Sequence, residues 1–294
     1  MKNRKSILRA SGLVLVSVIA AAAADAPRLT FKFTRANVPR ALQTTPIGVN
    51  DAGAVVGQYQ SRRKAFHGYI LSGKKLTTLD DPNGTSTSVS NMQYNGPNVV
   101  GSYTNSNGGF HLVGFLHRGK TFTDITGPTG AIAAAANAIN DKGEIVGAYA
   151  DSNFVWHGFL LKSKMYTTLD VPGAQSTFAT GVNNKGDIAL YWVDSANAFE
   201  SSLYNGKTYK TINVPGAANS FSVGLNNAGD VVYQWTDSSS RNHGALLHAG
   251  KYYKFDYPKA VFTYGSGIND KHTIVGGYET TKGGPFSGYK ATYK

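Results

Sequence analysis

The chain has 294 residues, carries 29 Lys and Arg against 17 Asp and Glu for a formal net charge of +12, and contains no cysteine. Disulfide staples are therefore excluded, and stability must come from burial and strand pairing, which a chain of this length can supply. Beyond one N-terminal segment no apolar run is long enough to span a bilayer.

That segment comes first in chain order. Lys2, Arg4, Lys5 and Arg9 precede an apolar run from Leu13 to Ala24 that ends in alanines. This is the layout of a secretory signal peptide, and the run is short for a retained anchor. Residues 1–24 are expected to be removed, leaving 25–294 as one domain, secreted or periplasmic, monomeric and without a membrane span. Loss of the four basic residues lowers the formal charge from +12 to +8, so the mature chain stays basic.

The next stretch, LTFKFTRANVPRA (29–41), resembles KTYKTINVPGA (207–217) far downstream. Between them lies an internal repeat. IGVNDAGAVVGQY (47–59), AINDKGEIVGAY (138–149), GVNNKGDIALYW (181–192), GLNNAGDVVYQW (224–235) and GINDKHTIVGGY (267–278) are variants of one unit, with SNMQYNGPNVVGSY (90–103) a degenerate copy. Equivalent positions Gly57, Gly101, Gly147, Leu190, Tyr233 and Gly276 stand 44, 46, 43, 43 and 43 residues apart.

Each unit divides into four short strands, A to D. In the third these are 133–140, 144–149, 156–161 and 165–170, separated by turn residues such as NDKG. GAIAAAANAIND (130–141) reads as helix by propensity, but its alignment with the other units makes it strand A. A four-stranded repeat of this period is a propeller blade. The sixth unit ends after strand C, and the N-terminal stretch aligns with strand D. The expected fold is all-β: a six-bladed β-propeller with four antiparallel strands per blade. One N-terminal strand and three C-terminal strands form the closing blade, which removes a raw sheet edge.

The pairing of G-[VIL]-N-[DN]-x-G-x-[IV]-V-G-x-Y with H-G-[FY]-[IL] and T-T-L-D-x-P resembles the HAF-type extracellular repeats of bacterial exported proteins. The resemblance covers almost all of residues 29–294, with Gly where that motif has Ala (HGY at 67, HGF at 157) and no His in unit four. It implies export and a propeller-like fold but no established activity, so it carries over no catalytic residue.

Antiparallel order places the B–C and D–A connections at one end of the blades and the A–B and C–D turns at the other. The A strands, expected to line the channel, hold no Asp, Glu, His, Lys or Arg, which argues against acid–base or metal chemistry on the axis. At the B–C end strand B closes with Tyr59, Tyr103, Tyr149, Trp192, Trp235 and Tyr278. Asn105, Asp151, Asp194 and Asp237 follow two positions later, and His67, His157 and His243 open strand C. Aromatic faces beside carboxylates suit sugars, while six repeated aromatics also suit blade packing. Blades four and five break the pattern together: Leu190 and Tyr233 replace Gly, Trp replaces Tyr, and Glu200 takes the His position. Such divergence marks either a site or compensating bulk.

The expected ligand contacts are Trp192, Trp235, Tyr149, Asp151, Asp194, Asp237, Glu200, His157 and His243. The histidines lie in alternate blades, too far apart to share one zinc, so neither metal nor cofactor is expected. At the opposite end Lys74, Lys120, Lys164, Lys207 and Lys251 in the C–D turns form a basic rim, suited to an anionic polymer or simply to solvation. Nucleic acid is not an expected partner of an exported chain. GFLHRGKT (114–121) fits a phosphate-loop pattern but sits in a strand–turn–strand context without the helix that mechanism needs. The expected function is a non-catalytic exported propeller that binds extracellular carbohydrate or a protein surface. The alternative is a carbohydrate-active hydrolase or lyase using Glu200, Asp194 and Asp237, or acids such as Asp80 and Asp124 at the D–A loops.

Overall fold

The computed structural model describes residues 29–105 and 111–294; the expected signal segment lies outside the described residues. Strand β1 (Phe31–Arg35) is followed by blade one, β2 (Gln43–Val49), β3 (Val55–Gln60), β4 (Phe66–Ser72) and β5 (Lys75–Leu79). Blade two holds β6 (Ser86–Met92), β7 (Val99–Asn105), β8 (His111–Arg118) and β9 (Thr121–Ile125). Blade three holds β10 (Ala133–Ile139), β11 (Ile145–Ala150), β12 (Trp156–Lys162) and β13 (Met165–Leu169). Blade four holds β14 (Ser176–Val182), β15 (Ile188–Val193), β16 (Phe199–Tyr204) and β17 (Tyr209–Thr211). Blade five holds β18 (Asn219–Leu225), β19 (Val231–Thr236), β20 (Asn242–His248) and β21 (Lys251–Phe255). Blade six holds β22 (Phe262–Ile268), β23 (Thr273–Glu279) and β24 (Ser287–Tyr293), completed by β1. The chain is thus a six-bladed β-propeller of four-stranded antiparallel sheets, closed by its N-terminal strand. Among the described residues no helix is long and apolar enough to cross a membrane.

The alanine-rich run is strand β10, as the repeat requires, with Ala134, Ala136 and Ala138 all buried. Burial against the neighbouring blades overrides helix propensity here. GFLHRGKT is the β8–β9 hairpin, with Gly119 at φ +65° in its turn.

First strands of adjacent blades touch around the whole ring, so they line the axis. Each carries a β-bulge near its C-terminal end, between Pro46 and Gly48 in blade one and at the matching place in the other five. A bulge leaves a carbonyl outside the ladder, and in blades four, five and one the preceding blade satisfies it. Asn137 Nδ2 donates to Ala179 O at 2.9 Å, Thr180 Oγ1 to Ser222 O at 2.7 Å and Ser266 Oγ to Pro46 O at 2.7 Å. The asparagine of the A–B turn makes a second set of bonds between blades. Asn140, Asn183, Asn226 and Asn269 each donate Nδ2 to the equivalent carbonyl of the next blade, and Gln93 does the same in the degenerate second unit.

That unit also supplies the plug. Tyr94 stands where the other turns carry Asp51, Asp141, Asn184, Asn227 and Asp270, and its hydroxyl crosses the axis to donate to the Leu225 carbonyl of blade five. The ring is buried, and burial pushes the phenol pKa up. Tyr94→Phe, which keeps the plug and removes this bond, is expected to lower stability by about 1 kcal/mol, read from denaturant unfolding; an unchanged midpoint would show the bond to be worth nothing.

Candidate functional site

Blades one, three and five present the same construction on the B–C face. The aromatic ending strand B pairs in register with the histidine opening strand C: Tyr59 with His67, Tyr149 with His157, Trp235 with His243. The rings stack at centroid distances of 5.2, 5.1 and 4.6 Å. Each histidine Nδ1 meets an aspartate 13 residues later, in the D–A loop: Asp80 at 2.8 Å, Asp170 at 2.9 Å and Asp256 at 3.0 Å. A carboxylate only accepts, so Nδ1 carries the proton in each pair. The carboxylates remain 46%, 47% and 37% exposed, which leaves lone pairs for a ligand.

The B–C loop aspartates have a different task. Asp151 Oδ1 accepts from the N–H groups of Asn153 and Val155, Asp194 Oδ1 from Ala196 and Ala198, and Asp237 Oδ1 from Ser239 and Arg241. These bonds shape the loops in the manner of Asx turns. They also lower the pKa of Asp151 and Asp237, chiefly through the Val155 and Arg241 N–H groups. The outer oxygens approach the histidines, Asp151 Oδ2 at 3.7 Å from His157 Nε2 and Asp237 Oδ2 at 3.3 Å from His243 Nε2. In blade one Ser61 takes the loop position, and its buried hydroxyl has no partner among the described residues.

The expected contact residues are thereby sorted. Tyr149, Asp151 and His157 come together in blade three, and Trp235, Asp237 and His243 in blade five, each set within its own blade. Trp235 is only 6% exposed, its Nε1 donates to Gly244 O at 3.1 Å, and Lys254 Nζ lies 4.1 Å from its ring. It supports His243 rather than offering a free face. Trp192 is half-buried, pairs in register with Glu200, and donates Nε1 to Ser202 Oγ at 3.1 Å.

Glu200 is the clearest variation on the theme. Its Oε2 accepts from Nδ2 of Asn213, also 13 residues on. Blade four therefore exchanges a His donor and Asp acceptor for a Glu acceptor and Asn donor, keeping the bond with its polarity reversed. Glu200→Ala alone is expected to lose the bond and about 1 kcal/mol, and Glu200→His with Asn213→Asp to keep a bond of the polarity seen in the other blades and so recover that loss in thermal unfolding. Equal stability of the single and double variants would show that the pair is not coupled.

The joint divergence of blades four and five has a packing cause. Glycine faces an aromatic across strands B and C in four blades: Gly57 with Tyr69, Gly101 with Phe115, Gly147 with Phe159 and Gly276 with Tyr289. In blades four and five the bulk changes sides, as Leu190 faces Ser202 and Tyr233 faces Ala245. Large and small are traded at constant volume.

Asp170, Asp256 and Asn213 are the site-forming residues that sequence reading passed over, and the constant spacing of 13 was the available signal. Small clefts between blades adjoin two of the units. One of about 200 Å³ is lined by His67, Asp80, Thr85 and Ser86, and another of about 230 Å³ by Arg241, Asn242, Phe262, Glu279 and Lys282. The C–D-turn lysines Lys74, Lys120, Lys164, Lys207 and Lys251 are all exposed. Lys164 with Arg118 borders an outer groove of about 610 Å³ between blades two and three, and Lys120 one of about 480 Å³ between blades one and two.

No family model matches the chain, and no curated protein matches it. Among solved structures it is similar to SapL1 lectin in complex with α-methyl fucoside, with TM-score 0.56 and 9% identity over 85% of this chain and 94% of that one. It is similar also to the propeller domain of the Trilobed protease from Pyrococcus furiosus, with TM-score 0.55 and 11% identity over 86% and 83%. A third is AofleA from Arthrobotrys oligospora, with TM-score 0.53 and 10% identity over 90% and 82%. At such identities the likeness establishes the propeller fold alone.

Proposed function

We propose that this chain is an exported, non-catalytic propeller that binds glycans on its B–C face. The observation that carries the reading is the aromatic–His–Asp unit repeated in blades one, three and five, with half-exposed carboxylates on one face. Carboxylates accept from sugar hydroxyls, and the clefts beside His67 and Arg241 offer further polar groups of the kind that fix a sugar's orientation. Repetition around a ring adds avidity for a polymer or a decorated surface. The fucoside-bound SapL1 lectin, a propeller of similar fold, lends support to the ligand class, and the likeness of the repeat to HAF-type proteins supports export. Against a hydrolase or lyase stands the engagement of the five acids that would serve it: Glu200 holds Asn213, Asp194 and Asp237 hold their loops, Asp80 meets His67, and Asp124 accepts from the Tyr103 hydroxyl.

Calorimetric titration with fucosylated and non-fucosylated oligosaccharides tests the proposal. The wild type is expected to bind at least one of them. His67→Ala/His157→Ala/His243→Ala is expected to bind it at least about tenfold more weakly, a loss of about 1.4 kcal/mol. Turnover of any of these sugars that disappears in Glu200→Gln would replace the binding reading with the enzymatic one.

A further inference from the structure

The axis holds a cavity of about 270 Å³ that none of the blade-face units uses, lined by residues of all six innermost strands. At its bulged level stand Ile47, Ser90, Asn137, Thr180, Val223 and Ser266, with Asn91, Tyr191, Gln234 and Tyr264 completing the wall. Tyr94 closes the A–B end by reaching across to Leu225. Toward the B–C face the wall is lopsided, for Thr45, Ser88 and Ala135 on blades one to three face Phe178, Phe221 and Tyr264 on blades four to six. The axis is therefore a cup rather than a tunnel, with access on the side of the small residues.

The hydrogen-bonding inventory of the cup is mixed and uncharged. Asn137, Thr180 and Ser266 spend their donors on neighbouring carbonyls and keep acceptor lone pairs. Gln234 donates Nε2 to Asn242 and keeps its carbonyl oxygen. Ser90, Asn91 and Tyr191 also line the cup, and their hydroxyl and amide groups can donate. Tyr191 is held in place by stacking on Phe178 at 4.7 Å and by the edge of Phe221 at 5.4 Å, and its burial pushes the phenol up to about 12, so it stays protonated. An ion would meet no countercharge at this level, and an apolar ligand would strand the polar wall.

We propose that the axial cup binds one neutral, polyhydroxylated small molecule of monosaccharide size per chain. The hydroxyls of such a ligand donate to Asn137, Thr180, Ser266 and Gln234 and accept from Ser90, Asn91 and Tyr191, while the half-buried rings of blades four to six cover its less polar face. The site shares only its ligand class with the glycan reading; it uses no residue of the blade-face units.

The test is calorimetric titration of the protein with free L-fucose, D-glucose, D-galactose and myo-inositol, to about 10 mM, the weak end of measurable affinity. One of the four is expected to bind, with a stoichiometry of one once the blade-face units are removed in His67→Ala/His157→Ala/His243→Ala. Ser90→Leu, which fills the cup, is expected to abolish that binding, and Tyr191→Phe, which removes one donor and keeps the ring, to weaken it about three- to tenfold, a change within the net range of one hydrogen bond. Should Ser90→Leu fail to fold, Tyr191→Phe decides alone. No binding by the wild type, more than one site in the His67→Ala/His157→Ala/His243→Ala background, or binding indifferent to Tyr191→Phe overturns the proposal. A wild type that binds immobilised glycans but none of these four sugars refutes the cup and leaves the blade-face reading standing; the converse pattern refutes that reading and leaves the cup.

Discussion

A chain deleted of residues 29–41 unfolds at a temperature at least about 10 °C lower than the intact one. Strand β1 contributes five paired positions against β24, and its flanks add Thr30–Lys294 and Ala36–Gly288 backbone bonds. Phe31 and Phe33 pack on Phe255 at 4.8 and 6.2 Å, and Phe33 meets Tyr289 edge-on at 5.4 Å. Ala36 and Val38 beyond it are buried. Burial of this apolar set is worth on the order of 5 kcal/mol, counting each half-buried Phe at about half of a full Phe deletion. For a domain of this size each kcal/mol moves the midpoint by roughly 2–4 °C. The truncated protein also exposes β24 as a raw edge, so concentration-dependent aggregation should accompany the loss. Circular dichroism melts at two protein concentrations check both effects. An unchanged midpoint would mean that blade six stands without its fourth strand.

Gly147→Leu has the second large effect, costing about 4 kcal/mol or preventing folding. A Cβ at this position would lie 2.0 Å from Ala135 O and 2.7 Å from the ring of Phe159. Neither can move freely, since Phe159 is fully buried and Ala135 belongs to the axial strand. Overpacking of this kind sits at the upper end of core substitutions. Adding Phe159→Ser recreates the Leu190–Ser202 pair of blade four and should recover part of the loss, because the ring is gone while the carbonyl still has to withdraw. The double-mutant cycle is expected to show a favourable coupling above about 1 kcal/mol. Additive penalties would show that Leu190 and Tyr233 are tolerated for some reason other than the residue facing them.

The same exchange explains what the sequence made legible. Period, turn chemistry and alternation identified every blade and the closing strand, because each is a local pattern repeated several times. Even the alanine run of β10 yielded to alignment. Divergence at Leu190, Tyr233 and Glu200 was visible but ambiguous, because its cause lies across the sheet at Ser202, Ala245 and Asn213. A lone change looks like a site, whereas a pair that conserves volume or a hydrogen bond looks like packing, and the pairing needs the register. The Tyr94 plug was hidden for a related reason. It crosses from blade two to blade five, 131 residues apart, and no periodicity relates those positions. For Trp235 the sequence shows an aromatic at a strand end but not the Lys254 and His243 that lie against its ring.

The most direct test is a glycan array probed with residues 29–294 and with the triple histidine variant, washed at low and at high salt. The wild type should bind a defined set of glycans that survives the high-salt wash, and the variant should lose that set. A blank wild-type array, or binding that the variant retains in full, would contradict a glycan face built on the His–Asp units. Binding stripped by salt would instead assign recognition to an anionic polymer along the lysine rim.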